Sequence, residues 1–174
     1  MANKSRDAVS VKVRKNKPLS DGLTGVRGCL LDYATRGVFR AFTESRRRAG
    51  RYYFKFTWLA GEPYTLSYEP KTGTVTFTNA FPNVPARSTL YAELKSFIES
   101  RTAVSLPNHR RIDPRRAKPS CSRRRGTMAV HVVAKRGHHT YAVNRAVNLV
   151  HEIFLHLHSK FPEYIWENYD VSED

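Results

Sequence analysis

Cysteine is scarce in this chain, with Cys29 and Cys121 the only 2 in 174 residues. That excludes a disulfide framework and any four-thiolate metal site. No apolar run approaches the ~18 residues that a membrane-spanning helix requires. The N-terminus carries Lys4 and Arg6 and no apolar core segment, so a secretory signal is not expected. There is no phosphate-binding P-loop, no dinucleotide-type glycine pattern and no nucleophile elbow. These absences lead to the expectation of a soluble, cytoplasmic protein without a cofactor, a metal or an assignable catalytic centre. Acidic residues are also few, 15 against 30 basic ones, for a net charge of +15.

What is present is enough for a folded core. Apolar residues make up 40% and charged residues 26%, which argues against whole-chain disorder. The length suits one domain with tails. A strong positive charge favours polyanionic partners such as nucleic acid. The basic residues are 20 Arg and 10 Lys, and a planar guanidinium grips phosphate bidentately. Two segments hold most of the excess: residues 1–17 carry +5 and residues 109–125 carry +7. Neither shows apolar periodicity, so both read as loop or tail, either solvated charge or a contact surface.

Residues 1–18 therefore read as a disordered basic arm. Residues 19–169 read as a single domain with a basic loop at about 107–126, and 170–174 as an acidic tail. From Gly28 to about Arg48, Leu30, Leu31, Ala34, Val38, Ala41 and Phe42 recur at three- and four-residue steps and predict a helix. Gly37 weakens it, and Arg46, Arg47 and Arg48 suit its C-terminus or a contact site. In Arg51–Ala60, Tyr52, Phe54, Phe56 and Trp58 alternate with Tyr53, Lys55 and Thr57. After Gly61-Glu62-Pro63, Tyr64, Leu66 and Tyr68 alternate with Thr65 and Ser67. After Pro70–Gly73, Val75 and Phe77 alternate with threonines. These runs predict an antiparallel meander with one buried aromatic face and one wet face. The aromatic face is assigned to the core, because the flanking helices need an apolar surface.

A second helix is expected after Phe81–Pro85, capped by Ser88 or Thr89 and presenting Leu90, Leu94, Phe97, Ile98 and Arg101. Pro114 and Pro119 argue for irregular structure from His109 to Arg125. An extra strand is placed near Ala103–Leu106. Met128, Val130 and Val132 mark a further strand. Tyr141–Phe161 carries the strongest helical stripe: Val143, Ala146, Val147, Leu149, Val150, Ile153, Phe154, Leu157 and Phe161. Pro162 opens a short acidic end containing Tyr164, Ile165, Trp166 and Tyr169, a packed helix and solubilising tail or a segment folded back on the basic loop. The fold class is α+β, an antiparallel β-meander flanked by helices, in the order α-β-β-β-α-(β)-β-α.

That order, with the Phe81-Pro82 to Pro85 junction entering a helix, resembles the type III secretion chaperone-like fold, including the YbjN-like family, over about residues 51–98 and 127–161. The resemblance implies a fold and a peptide-binding, chaperone-like role, and it transfers no functional residue. Secretion chaperones tend to be acidic, and this chain departs from that.

Catalytic and metal motifs fail on spacing. His151 and His156 are five apart, about 140° around a helix, where a zincin needs four. His151 with His158, and Glu152 with His156, share azimuths, but further ligands would have to come from His131, His138 or His139. Cys121 precedes Arg123, Arg124 and Arg125, which would lower a thiol pKa, yet a phosphatase loop would need an arginine where Thr127 stands. Cys29 reads as a small core residue.

The resulting expectation is a non-enzymatic binding module for nucleic acid or another polyanion. Its anchors would be Arg110, Arg111, Arg115, Arg116, Lys118, Arg123, Arg124 and Arg125, with Lys12, Arg14, Lys15 and Lys17 adding contacts from the arm. Binding of that kind is electrostatic and poorly sequence-specific. The alternative is a chaperone-like protein–protein interaction domain, with a protein partner or a homodimer.

Overall fold

The computed structural model describes residues 20–171. The expected arm at 1–18, with Lys12, Arg14, Lys15 and Lys17, lies outside the described residues. The elements are α1 (Ser20–Thr35), β1 (Arg40–Arg48), β2 (Arg51–Thr57), β3 (Pro63–Glu69), β4 (Thr74–Phe81), α2 (Thr89–Glu99), β5 (Ala117–Arg124), β6 (Thr127–Ala134), α3 (His139–Lys160) and α4 (Pro162–Asn168). The six strands form one sheet in the order β1-β2-β3-β4-β6-β5. Every neighbouring pair is antiparallel. The fold class is the expected one: an antiparallel meander with helices, α+β.

The period-2 pattern of the sequence became the sheet directly. Phe54, Phe56, Tyr64, Leu66, Tyr68, Val75, Phe77, Met128, Val130 and Val132 are buried, and the strand registers place them on one face. Against that face lies α3, whose buried residues are the predicted stripe from Val143 to Leu157 with Ala142 added, while Phe161, the expected end of the stripe, is half-buried. Burying Leu, Ile, Val or Phe contributes about 1.5–3 kcal/mol per side chain, so this layer dominates the core. α2 adds Leu90, Leu94 and Ile98, and Ser88 caps it by accepting a hydrogen bond from the Tyr91 N–H at 3.1 Å.

Two expectations need correction. The predicted helix running to Arg48 ends at Thr35, and a strand follows it. Gly37 is the reason. It lies at φ +76°, a conformation that costs glycine little. Its N–H donates to the Ala34 carbonyl at 3.0 Å and the Val38 N–H to the Tyr33 carbonyl at 2.9 Å, the paired bonds that close a helix C-terminus. Arg46–Arg48 therefore belong to edge strand β1, not to a helix end. Second, residues 103–106 form a turn, and the missing strand is β5, inside the expected basic loop. Pro119 pairs opposite Val132 on the outermost strand, where a missing N–H deprives no neighbour of a hydrogen bond. The acidic end begins as the expected packed helix, α4, and of the two readings offered for it the fold-back on the basic loop is not the one its contacts show. The Tyr164 hydroxyl donates to the Pro82 carbonyl at 2.6 Å, and Asn83 Nδ2 donates to Asn168 Oδ1 at 2.7 Å. Tyr164, Ile165 and Tyr169 are buried.

α1 crosses α3 closely. A Cβ at Gly22 would stand 2.5 Å from the Tyr68 hydroxyl oxygen, and one at Gly25 2.6 Å from Thr140 Oγ1. Further along, Asn144 Oδ1 accepts from Cys29 Sγ at 2.9 Å and from the Tyr33 hydroxyl at 3.0 Å. On the other side of α1, Arg27 reaches Glu44 of β1 at 2.6 Å. All four helices pack on the aromatic face. The opposite face of the sheet has no helix over it among the described residues.

Candidate functional site

The open face is made by the positions that alternate with the core. Register places Arg40, Thr43, Ser45 and Arg48 of β1 beside Thr57, Lys55, Tyr53 and Arg51 of β2. Thr65, Ser67 and Glu69 of β3 continue the face, then Thr74 and Thr76 of β4, His131 and Val133 of β6, and Lys118, Ser120, Ser122 and Arg124 of β5. Cations stand on both flanks: Arg40, Arg48, Arg51 and Lys55 on one, Lys118 and Arg124 on the other. Among the described strand residues of this face the only carboxylate is Glu69, which pairs with Arg51 at 3.6 Å. Hydroxyl side chains fill the middle. Six strands about 4.8 Å apart make a surface about 24 Å across.

Towards the β5 edge of this face His131, on β6, joins three strands. Its Nε2 meets Ser122 Oγ at 2.7 Å and its Nδ1 meets Thr76 Oγ1 at 2.9 Å. Burial, then the charge of Arg51, pushes its pKa below the ordinary value, so the ring is neutral at pH 7. The geometry resembles a hydroxyl–imidazole relay, but the third partner is a neutral threonine where a hydrolase places a carboxylate to hold the imidazolium. The ladder orients the ring and ties β4, β6 and β5 together.

The expected anchors are not one patch. β5 rises about 24 Å between Ala117 and Arg124 at ~3.4 Å per residue, which puts Arg110–Arg116 at one end and Arg123–Arg125 at the other. That separation exceeds the ~8 Å screening length at physiological salt. Several anchors are engaged by the protein itself. Arg115 pairs with Asp113 at 3.0 Å, and that hydrogen bond, with the Arg115 N–H, pulls the Asp113 carboxyl down to about 2. The Arg116 guanidinium lies 3.8 Å from the centroid of the Tyr141 ring. Arg111 Nε donates to the Thr102 carbonyl at 3.2 Å. Arg123 Nε donates to the Val84 carbonyl. The segment before β5 is further held by buried Ile112 and by the Asp113 N–H donating to the Tyr141 hydroxyl at 2.8 Å. Arg110, Lys118, Arg124 and Arg125 are exposed and have no side-chain partner among the described residues. Of these, Lys118 and Arg124 project from the open face.

The rim beneath this face is basic as well. Lys71 in the β3–β4 turn and Lys135 and Arg136 in the β6–α3 turn are exposed. Gly22 of α1 lies against Tyr68 and His139 at this same end. Arg40, Arg48, Arg51, Lys55 and Tyr53 were not among the sequence-derived anchors. For Arg51, Tyr53 and Lys55 the signal was the wet alternation of the meander, which marks exposure without marking function; Arg40 and Arg48 lie in the segment predicted as a helix, where Arg48 suits a helix end or a contact site.

Other candidate groups settle differently. Burial raises the Cys121 thiol pKa, with Lys95 and Glu99 as its charged neighbours. The expected lowering by Arg123–Arg125 does not occur, because Arg123 is turned to Val84 and Arg124 projects from the opposite face. Burial also pushes the Cys29 thiol up to about 11. His156 meets Glu93 at 3.0 Å and Lys160 meets the same carboxylate at 2.6 Å. Arg101 bridges to Glu152 at 3.1 Å, so these groups lock α2 to α3. Among the described residues no three His, Cys, Asp or Glu side chains form a metal cluster, and no helix is long and apolar enough to cross a membrane.

The fold and surface thus define a two-layer helix-on-sheet α+β protein whose other sheet face is flanked by cations and uncovered among the described residues. Compared with family models, with curated proteins and with solved structures, the chain matches none of them.

Proposed function

We propose that this chain is a non-enzymatic module that binds nucleic acid, or a polyanion of similar charge density, along the open sheet face and its basic rim. One observation carries the reading: Arg40, Arg48, Arg51, Lys55, Lys118 and Arg124 share a face that has, among the described residues, a single strand carboxylate and no helix over it. Phosphates seated there displace counterions from the polyanion, which drives association. The hydroxyl rows donate hydrogen bonds to phosphate and sugar oxygens, contacts that position a strand without reading its sequence.

The test is fluorescence anisotropy of a mixed-sequence oligonucleotide at several salt concentrations, with wild type and with the R48E/K55E/K118E/R124E variant. Each phosphate contact contributes about 0.7–0.9 to the salt slope, so the variant should lose about 3 from it. Lys95→Glu, exposed on α2, is the control. A variant indistinguishable from that control would overturn the reading. The chaperone-like alternative draws on a different surface: exposed Trp166 next to the groove between Pro85, Leu90, Phe161 and Tyr164. A partner held there would survive high salt, which separates the two.

A further inference from the structure

We infer that Tyr53 is a base-stacking position, and that the open face accepts single-stranded nucleic acid in preference to duplex or to polyanions without bases. This deepens the function proposed above and rests on it.

Tyr53 is out of place by the logic that built the sheet. The meander's other aromatics, Tyr52, Phe54, Phe56, Trp58, Tyr64, Tyr68 and Phe77, belong to the core or pack against it. Tyr53 does neither, and it makes no ring–ring or cation–π contact among the described residues. Among the described residues it is the one Phe, Tyr or Trp on the open face. Its cross-strand neighbours are Ser45 on β1 and Ser67 on β3. Tyr53 is half-buried, and the serines directly opposite on both sides leave it without the aromatic or β-branched partner that sheet aromatics ordinarily take. Its hydroxyl has no hydrogen-bond partner among the described residues. Ser45, Arg48, Tyr53 and Lys55 together line a depression in this face.

That set is chemically specific. A phenol ring offers a π-face to any base, worth about 1–3 kcal/mol per stacked base. Arg48 and Lys55 flank it with charge for the adjoining phosphates. A duplex presents its bases only at groove edges, and a face about 24 Å across does not enter a major groove about 12 Å wide. A single strand can lay its backbone over the cations and turn one base onto Tyr53. Heparin satisfies the cations and leaves the ring unused.

The experiment measures binding of a mixed-sequence single-stranded DNA, the matching duplex and heparin to wild type, Tyr53→Ala and Tyr53→Phe at one salt concentration. Tyr53→Ala should weaken the single strand about tenfold, while duplex and heparin change less than about twofold. Tyr53→Phe should retain the single strand within about twofold, because stacking needs the ring and not the hydroxyl. Photocrosslinking of wild type to an oligonucleotide bearing 5-iodouracil should label the peptide containing Tyr53, a readout independent of how the variants fold. Equal losses for all three ligands, an unchanged single-strand affinity, or crosslinks confined to other peptides would overturn the stacking assignment and leave the polyanion reading standing. Binding of none of the three ligands by wild type would overturn both.

Discussion

Replacing Gly22 by alanine should destabilise the protein, and the same replacement at Gly28, six residues along the same helix, should stabilise it. The difference comes from what each new methyl group would meet. At Gly22 the Cβ would lie 2.5 Å from the Tyr68 hydroxyl oxygen and 3.2 Å from His139 Nδ1. Tyr68 is fully buried and cannot swing away. Its hydroxyl is held to His139 Nδ1 at 2.6 Å, and α1 would have to lift from α3 to make room. Overpacking of this kind costs about 1–3 kcal/mol. Alanine's helix preference returns up to ~1 kcal/mol, less in the first turn, where Gly22 sits. At Gly28 a Cβ meets nothing within 4 Å, so only the preference remains. Gly25 falls between, because the clash there is with Thr140, an exposed side chain that can rotate. A chain of this size shifts its Tm by roughly 2–4 °C per kcal/mol. With about half a kcal/mol returned at Gly22, Gly22→Ala should therefore melt lower by roughly 1–10 °C and Gly28→Ala higher by roughly 2–4 °C, with urea midpoints moving in the same order. A Gly22→Ala protein as stable as wild type, or a Gly28→Ala protein less stable, would refute the packing of α1 on α3.

His131 offers a pH-dependent test. Its native pKa lies below the ordinary 6.5 because of burial and Arg51, so as the pH falls the unfolded chain takes up the proton first. Stability present above about pH 6.5 should decline as the pH drops from there towards the native pKa, and then level off. His139, lowered by burial, adds in the same direction. Urea midpoints between pH 7.5 and 5 should fall less for His131→Gln than for wild type, and equal slopes would contradict the assignment. Ser88→Ala removes the oxygen that accepts the Tyr91 N–H at 3.1 Å and should cost about 1 kcal/mol in urea denaturation; no measurable loss would mean that the cap contributes nothing.

Much of the fold was legible because burial leaves a period. The Phe54/Phe56, Tyr64/Leu66/Tyr68 and Val75/Phe77 alternation and the Val143–Leu157 stripe each repeat at the spacing of one face. Strand β1 was not legible, since Phe42 and Glu44 share its inner side and arginines fill the rest. The apolar residues from Val38 to Phe42 fell at helical steps by coincidence. Strand β5 was hidden by Pro119, which reads as a breaker until its edge position is known. The basic segment at 109–125 was rightly seen as charged but wrongly seen as one loop. A strand divides it, and Arg111, Arg115, Arg116 and Arg123 are drawn into contacts with the protein's own carbonyls, carboxylate and ring.

By itself the sequence determined the charge, the class of fold and the central residues of the core, because these depend on composition and on local periodicity, whereas Ile112 and Ala117 entered the core from a segment read as loop. Only the tertiary structure decided which cations share a surface. Strand register gathers Arg48 and Lys55 around Tyr53 and, across four more strands, aligns Lys118 and Arg124 on the same side. Those positions are far apart in the chain, and nothing local marks them, since an exposed arginine obeys the same alternation whether or not it faces a partner. Side-chain direction in a strand has period 2, so one residue of register separates the open face from the core; hydrogen bonding between distant strands fixes that register.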